Sequence, residues 1–349
     1  MADPARTPVA LAVVGAGLIG RRHVEHVIGE ECARLAAIVD PSPDARSFAK
    51  SKDAPWYPDF ADMIADRRPE GVIVATPNQR HVVDGLRCVE AGLPLLIEKP
   101  IADDVVEARR LVEAAETAGV PLMVGHHRRH NPLIREAKKA IEAGRLGRLA
   151  SVHATCWFSK PDEYFDLEWR RRKGAGPVFL NLIHDVDLLR HLCGEIVSVQ
   201  AMESNALRGN EVEETAVVLL KFASGVLGTV NVSDKIVAPW SWELTSGENP
   251  AYAHTQESCY LIGGTLGSLT VPYLDLWKHP TKPNWWEPIV AERIPVERED
   301  PLALQIRNLC EVVRGAAAPV VSGREGLETL KVIAAIKAAA AAGGAIDID

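Results

Sequence analysis

Short apolar segments alternate with amphipathic segments along the first third of the chain. The segment VALAVVGAG at residues 9–17 is apolar throughout and leads into glycines. Further apolar segments occupy residues 35–40, 71–76, 94–100 and 121–127. The stretches between them, such as residues 79–92 and 105–119, place apolar residues at helical spacing. Fully apolar strands that alternate with helices predict a parallel α/β sheet with helices on both faces.

The pattern changes beyond about residue 125. Strand-like segments then follow one another, at residues 147–158, 195–203, 214–222, 225–233, 257–264 and 267–277. Glycine-containing turns join several of them, which is typical of antiparallel pairing. Helical patterns that would cover one face lie at residues 134–144, 178–192, 302–315 and 326–343. We therefore predict two domains, residues 1–125 and residues 126–349, the second being α+β with a mainly antiparallel sheet.

Composition narrows the class of protein. A chain of 349 residues is too long for one ordinary core, which agrees with two domains. With 47% hydrophobic and 25% charged residues it is typical of a soluble globular protein, and its net charge of −8 argues against a nucleic-acid partner. No apolar run approaches the ~20 residues that span a bilayer, and residues 1–10 lack a signal-peptide pattern, so we predict a cytoplasmic location without membrane contact. The six cysteines are scattered, which indicates reduced thiols and predicts no metal site.

The sequence GAGLIG at residues 15–20 fits the pattern GxGxxG. Gly15 would form the tight turn, Gly17 would let a pyrophosphate approach, and Gly20 would allow helix–strand packing, with Leu18 and Ile19 beside the phosphates. Asp40 ends the next strand, 20 residues beyond Gly20, where a carboxylate accepts the ribose hydroxyls of NAD and repels a 2′-phosphate. The motif therefore predicts NAD as the cofactor. The alternative is a plain strand–turn–helix unit without a ligand.

Two more segments follow strands at the edge where ligands bind in such sheets. In ATPNQRH at residues 75–81, we predict that Thr76, Pro77, Asn78 and His81 contact the cofactor; alternatively this is a simple turn with Asn78 as a helix cap. In EKP, Lys99 follows an apolar strand and precedes Pro100, which restricts its backbone. A lysine beside a bound nicotinamide can stabilise an alkoxide or pass a proton. The alternative is a surface lysine paired with Glu98.

Taken together, these motifs resemble the Gfo/Idh/MocA family of nicotinamide-dependent oxidoreductases. The resemblance covers the whole length and rests on GAGLIG, ATPNQRH, EKPI, GHHRRHNP and GAGPVFLNLIHDVD in that order. It implies a Rossmann domain, then a domain whose large open sheet often mediates dimers or tetramers. It also implies that Lys99 is the catalytic lysine, that His184 is the acid/base, that Glu98 joins the cofactor site, and that a small-molecule substrate is held between the domains.

His184 lies in an apolar segment, LNLIHDVDLLRHLC at residues 180–193, where a lone histidine is often a buried structural residue. The resemblance favours the catalytic role, because a histidine titrates near the pH at which proton transfer must run. One departure is that Leu180 stands where the family has an aspartate, so the family's proton pathway carries over only in part. Asn181 is expected to bind the substrate, and Asp187 could orient His184 or serve only in helix pairing.

Two basic runs complete the predicted substrate site. GHHRRHNP contains Arg128 and Arg129, and EWRRRKGAG contains Trp169 and Arg170. Two basic runs on an acidic protein could converge on an anionic substrate such as a sugar acid. The alternative is that most of these arginines are solvated or bridge the two domains.

The sequence thus predicts an NAD-dependent dehydrogenase that oxidises a secondary alcohol of a sugar, polyol or cyclic hydroxy acid, in a homodimer or homotetramer. Two other classes stay open. One is a glycosidase of the same fold that uses NAD transiently and releases an aglycone without net change in NADH. The other is a non-enzymatic regulator that senses a nucleotide.

Overall fold

The computed structural model describes residues 7–349. The strands in this part of the chain are β1 Val9–Val14, β2 Ala33–Val39, β3 Trp56–Tyr57, β4 Gly71–Val74, β5 Leu95–Ile97, β6 Leu122–Val124, β7 Leu149–Trp157, β8 Ile196–Ser204, β9 Thr215–Phe222, β10 Leu227–Ser233, β11 Tyr260–Gly264, β12 Gly267–Val271, β13 Asp275–Lys278, β14 Val290–Arg293 and β15 Ile346–Asp347. The α-helices are α1 Leu18–Gly29, α2 Pro43–Ser51, α3 Phe60–Asp66, α4 His81–Glu90, α5 Val105–Ala118, α6 Pro132–Glu142, α7 Ile183–Cys193, α8 Trp242–Thr245, α9 Pro301–Val313 and α10 Gly323–Ala342.

The chain divides into two compact units. The first contains residues 7–130 and Glu299–Leu330, and the second contains Asn131–Arg298 and Lys331–Asp349. The segment Glu299–Leu330 differs from the predicted division, which assigned everything after residue 125 to the second domain. Within the first unit, Ile306, Leu309 and Cys310 of α9 pack into the same apolar core as β1 and β2. An amphipathic pattern shows that a helix has an apolar face but not which sheet that face covers.

The sheet of the first unit is parallel and six-stranded, in the order β3-β2-β1-β4-β5-β6. All six residues of β1 are buried, because helices cover both faces of the sheet. The strand order reverses beside β1, where Val14 lies opposite both Val39 and Val74. The residues that follow these three strands therefore meet at one edge of the sheet, and the predicted parallel α/β domain is confirmed.

The sheet of the second unit has nine strands, in the order β14-β13-β12-β11-β7-β10-β9-β8-β15. Among the described strands every pair in it is antiparallel except β7 with β10, which run parallel. Residues of β9 alternate between exposed and buried, as expected of a sheet with a single covered face. The prediction of a mainly antiparallel sheet is confirmed. The predicted strand 267–277 is in fact two strands, β12 and β13, separated by a turn that holds Leu274 at φ 58°.

Candidate active site

The turn that joins β1 to α1 requires glycine at two positions. Gly15 has φ +94°, and a Cβ there would lie 2.6 Å from the carbonyl oxygen of Ala75 and 2.7 Å from the amide nitrogen of Thr76. A Cβ on Gly20 would lie 1.9 Å from the carbonyl oxygen of Gly15. The first glycine therefore allows the turn to pass close to the end of β4, and the other allows α1 to pack on the turn.

Gly17 has a different environment. It stands at the N-cap of α1, and a Cβ there would have no heavy atom of another part of residues 7–349 within 4 Å. Among the described residues no side chain caps this helix end, Leu18 is 94% exposed and Ile19 is half-buried. The amide groups at the start of α1 thus adjoin open space, as in sites that bind phosphate groups.

Asp40 follows β2 at the same edge of the sheet. Its Oδ2 accepts a hydrogen bond from the amide of Ala16 at 2.8 Å, and its Oδ1 accepts one from the amide of Ser42 at 2.9 Å. Partial burial acts to raise the pKa of Asp40, but hydrogen bonds from Ala16 and Ser42 outweigh it and the pKa is lowered. Asp40 is therefore an anion at neutral pH. It lines a cavity of about 650 Å³ together with Gly15 and Gly17.

The loop after β4 forms another wall of that cavity, through Thr76 and Pro77. The Oγ1 of Thr76 is buried and has no hydrogen-bond partner among residues 7–349. Asn78 is not a helix cap: it begins a short 3₁₀ turn, and Arg80 stands at the N-cap of α4. His81 is buried, with Nδ1 2.7 Å from the carbonyl oxygen of Pro100 and Nε2 2.9 Å from that of Thr76. Each ring nitrogen thus lies within hydrogen-bonding distance of a backbone carbonyl oxygen, so His81 links this loop to the segment at Pro100.

These residues fit a dinucleotide. The glycine turn leaves space over Gly17, the start of α1 suits phosphate, Asp40 supplies a fixed carboxylate, and the buried hydroxyl of Thr76 lacks a partner. Bound NAD would be held by this edge of the sheet.

Lys99 follows β5 at this edge, next to a buried pair of Glu98 and His23. Glu98 is 7% exposed, and its Oε1 lies 2.7 Å from Nε2 of the fully buried His23. The amide of Lys99 donates to Oε2 of Glu98 at 3.2 Å. Burial acts to raise the pKa of Glu98, but the hydrogen bond and charge of His23 outweigh it and hold the pKa at about 2. Glu98, which the sequence assigned to the cofactor site, thus lies beneath Lys99 and fixes its backbone.

This pair predicts a pH dependence of stability. Because the pKa of Glu98 is depressed, its contribution to stability is present above the ordinary value of 4.5 and is lost as the pH falls toward about 2. Glu98→Gln should therefore lower the urea midpoint of unfolding at pH 7. The difference in midpoint between this variant and the natural protein should shrink as the pH falls from 4.5 to 2. Urea unfolding curves across this pH range measure that difference. Glu25→Gln, at an exposed partner of Lys52, is the control and should change the midpoint little. A difference in urea midpoint between Glu98→Gln and the natural protein that stays constant with pH would contradict the role given to Glu98.

In the second unit, the segment before His184 is wound more widely than predicted. Val178–Leu182 forms a π-helical turn, and α7 begins only at Ile183. The glycine before this turn lies against a buried acid: a Cβ on Gly176 would be 2.4 Å from Oε1 of Glu213. The same oxygen accepts from the amide of Val178 at 3.0 Å, and Lys337 Nζ lies 2.6 Å from Glu213 Oε2. Glu213 therefore anchors the turn that leads to His184, and π turns of this kind are frequent at functional sites.

His184 is 7% exposed in the first turn of α7, and the adjacent Asp185 accepts a hydrogen bond from the hydroxyl of Tyr260. Nearly every residue of this helix is buried, including Asp187. The helix lies inside the unit, so its polar residues are enclosed together with its apolar ones.

A cluster that sequence reasoning missed adjoins this turn. Lys160 Nζ donates to Oδ1 of Asn181 at 2.9 Å and lies 3.1 Å from Oδ2 of Asp234. Burial lowers the pKa of Lys160, and the charge of Asp234 opposes that shift. No local motif joins these residues, since Lys160 and Asn181 are 21 positions apart.

The predicted substrate arginines have different environments. Arg128 and Arg129 are buried in the first unit, and Arg129 forms an ion pair of 2.8 Å with Glu325. Arg170, in the second unit, lies over the ring of Tyr164 at 4.0 Å and donates to the carbonyl oxygen of that residue. Trp169 beside it is 54% exposed. Arg129 therefore has a structural partner, whereas the Nε of Arg170 is buried without a hydrogen-bond partner in the described chain.

Comparison with known proteins agrees with this geometry. The model for the oxidoreductase family with an NAD-binding Rossmann fold matches residues 9–126, and the model for the GFO/IDH/MocA C-terminal domain matches residues 134–270. The chain is thus an oxidoreductase of the NAD-binding Rossmann class. It belongs to the Gfo/Idh/MocA family, which confirms the predicted family and cofactor.

Individual relatives are moderately similar. The rhizopine catabolism protein MocA of Rhizobium meliloti is 32% identical over 189 residues, which are 54% of this chain and 58% of that protein, so the chain spans less than two thirds of it. The myo-inositol 2-dehydrogenase of Thermotoga maritima is 29% identical over 90% of this chain and 91% of that protein. The WlbA dehydrogenase of Bordetella pertussis, solved with NADH and UDP-GlcNAcA, is 27% identical with a TM-score of 0.80, covering 98% of this chain and 99% of that one.

A membrane-spanning role has no helix to support it: within residues 7–349 none is both long enough and apolar enough to cross a bilayer.

Proposed function

We propose that this protein is an NAD-dependent dehydrogenase that oxidises a secondary alcohol of a sugar, polyol or cyclic hydroxy acid. The observation that carries the proposal is that Lys99 follows β5 at the same sheet edge as the glycine turn and Asp40. A cation at that edge adjoins the site that fits the dinucleotide. Relatives named as inositol dehydrogenases, and a structural neighbour solved with a nucleotide sugar acid, support this class of substrate.

Bound NAD supplies the hydride acceptor for the alcohol carbon. Lys99 stabilises negative charge that develops on the substrate oxygen, and Glu98 with His23 holds the backbone of that lysine. His184 takes the hydroxyl proton, and the buried Glu213 fixes the turn before it. Arg170 and Trp169 contribute to substrate binding, since Tyr164 holds the Arg170 guanidinium in place.

The test is NAD reduction followed at 340 nm with a panel that includes myo-inositol, scyllo-inositol, D-glucose, D-galactose and D-glucuronate. Stoichiometric formation of NADH and of a ketone or lactone is the expected result. Release of an aglycone from a glycoside without net NADH would instead establish the glycosidase. Binding of NAD without turnover of any alcohol would support the regulator.

Cofactor preference is predicted to depend on Asp40. The anionic carboxylate, fixed by Ala16 and Ser42, would face the 2′-phosphate of NADP, so the natural protein should use NAD far more efficiently. Asp40→Ser should narrow this preference on the order of tenfold, chiefly by improving use of NADP, since about 1.4 kcal/mol of repulsion corresponds to tenfold. Values of kcat/KM with both cofactors measure the effect. Comparable efficiency of the natural protein with NAD and NADP would refute the assignment.

A further inference from the structure

We propose that Lys160 fixes the side-chain amide of Asn181 so that its NH₂ group donates a hydrogen bond to an oxygen atom of the substrate. The proposal rests on the proposed dehydrogenase function. It makes Asn181 a residue that determines substrate specificity and makes Lys160 a positioning residue that acts through it.

The location of Lys160 follows from the single parallel pair among the described strands of the second sheet. β7 and β10 run side by side, so the segments that leave their carboxyl ends lie next to each other. The amide of Phe158 donates to the carbonyl oxygen of Ser233 at 3.1 Å, and the amide of Lys160 donates to that of Asp234 at 2.9 Å. These backbone bonds bring the Lys160 ammonium and the Asp234 carboxylate together, 3.1 Å apart.

The ammonium group of Lys160 is held by protein groups on several sides. An ammonium group has three N–H donors and no acceptor. Lys160 Nζ has Asp234 Oδ2 at 3.1 Å, Asn181 Oδ1 at 2.9 Å and the ring centroid of Tyr164 at 4.7 Å. Its side chain is only 10% exposed. Lys160 is thus enclosed by protein groups, and its effect on a substrate passes through the groups that it holds.

The charge of Lys160 decides which way the amide of Asn181 faces. Because an ammonium can only donate, the atom toward it must be the carbonyl oxygen Oδ1. The Nδ2 of Asn181 then points away from Lys160, and it makes no hydrogen bond within residues 7–349. Asn181 is half-buried and stands three residues before His184, so two N–H donors lie within about one helical turn of the proposed base. This arrangement suits an acceptor oxygen of the substrate, either a hydroxyl or a carboxylate.

The orientation is tested by stability, without a substrate. Asn181→Asp would place an anion against Lys160, so its thermal midpoint should equal or exceed that of the natural protein. In a Lys160→Met background the same substitution should lower the midpoint by several degrees. An equal loss in both backgrounds would overturn the orientation. If Lys160→Met does not fold, Asn181→Asp and Asn181→Leu are compared in the natural background, where the aspartate must be the more stable variant for the proposal to stand.

The role in substrate binding is tested by kinetics with myo-inositol and D-glucuronate. Asn181→Ala should raise KM about tenfold, as expected for loss of one hydrogen bond, and should change kcat much less. If Asn181 contacts a substrate carboxylate, Asn181→Asp should raise KM more than Asn181→Ala does. If it contacts a substrate hydroxyl, Asn181→Asp should raise KM no more than Asn181→Ala does. Lys160→Met should raise KM in the natural background but not further in Asn181→Ala. The control is Lys235→Met, which removes an ion pair with Asp162 on the neighbouring segment and should leave KM unchanged.

Two kinetic results would overturn this role: an unchanged KM in Asn181→Ala, or an equal effect of Lys160→Met in both backgrounds. Failure of the natural protein to reduce NAD with either myo-inositol or D-glucuronate counts against the contact between Asn181 and the substrate. The stability comparison still decides the orientation of the Asn181 amide.

Discussion

Replacing His184 with alanine is expected to lower turnover about 100-fold or more, while NAD affinity stays nearly unchanged. The magnitude is that of a group that transfers a proton in the rate-limiting step. NAD affinity should persist because the glycine turn and Asp40 belong to the first unit, whereas His184 belongs to the second. Lys99→Ala should cause a loss of similar size, because it removes the charge that stabilises the developing alkoxide. Steady-state kinetics and NAD titration by calorimetry measure the two quantities separately.

The control for this prediction is His191→Ala, a second histidine of α7, which should retain turnover. If His184 is only structural, His184→Ala should lower the thermal midpoint without altering the pH profile of kcat/KM. If His184 is the base, the kcat/KM profile of His184→Ala should lack the acid limb. Turnover close to that of the natural protein in a folded His184→Ala variant would show a structural histidine and leave Lys99 as the proton carrier.

Replacing Gly17 with alanine is expected to weaken NAD binding on the order of 10- to 100-fold, or about 1.4 to 2.8 kcal/mol, without loss of stability. The backbone of Gly17 has φ −69°, which alanine adopts freely, and a Cβ would meet no other part of the described chain within 4 Å. That methyl would instead occupy the space through which a pyrophosphate approaches the start of α1. Calorimetric titration with NAD and a thermal melt of the free protein measure the two effects.

Gly15→Ala is the matched comparison. At φ +94° and 2.6 Å from the carbonyl oxygen of Ala75, its Cβ must displace backbone, so this variant should lose about 2 kcal/mol or more of stability as well as NAD binding. If Gly17→Ala bound NAD as tightly as the natural protein, the open space over α1 would not be the phosphate site.

The fold was largely predictable from the sequence, because strands buried on both faces produce continuous apolar segments and strands buried on one face produce alternation. The short strand β3 and the helix α3 were not predicted, since two and seven residues are too few to show a period. The placement of α9 in the first unit also escaped prediction. Its contacts with β1 and β2 join residues almost 300 positions apart, and no local pattern records them.

For the site, local motifs identified the residues but not their partners. GxGxxG located the turn because Gly15 has a positive φ and Gly20 packs against Gly15, while Gly17 leaves space at the start of α1. The motif assigned His81 to the cofactor but did not reveal that its two ring nitrogens lie beside the carbonyl oxygens of Thr76 and Pro100. Lys160 and Glu213 were missed, because each acts on residues that only the folded sheet brings near. The π turn at Val178–Leu182 was read as regular helix, since its apolar spacing fits both.

The discontinuous make-up of the first unit has a consequence for synthesis on the ribosome. Its core needs Ile306, Leu309 and Cys310, which are made some 180 residues after His130. At about 5–20 residues per second, the nascent β1–β6 segment waits roughly 10 to 40 s with the apolar surface that α9 will cover still open to solvent. A released fragment that ends at residue 130 would keep that surface exposed permanently. Chaperone binding to ribosome-bound chains should therefore persist until α9 emerges, although every residue of the glycine turn and the six-stranded sheet has long been translated.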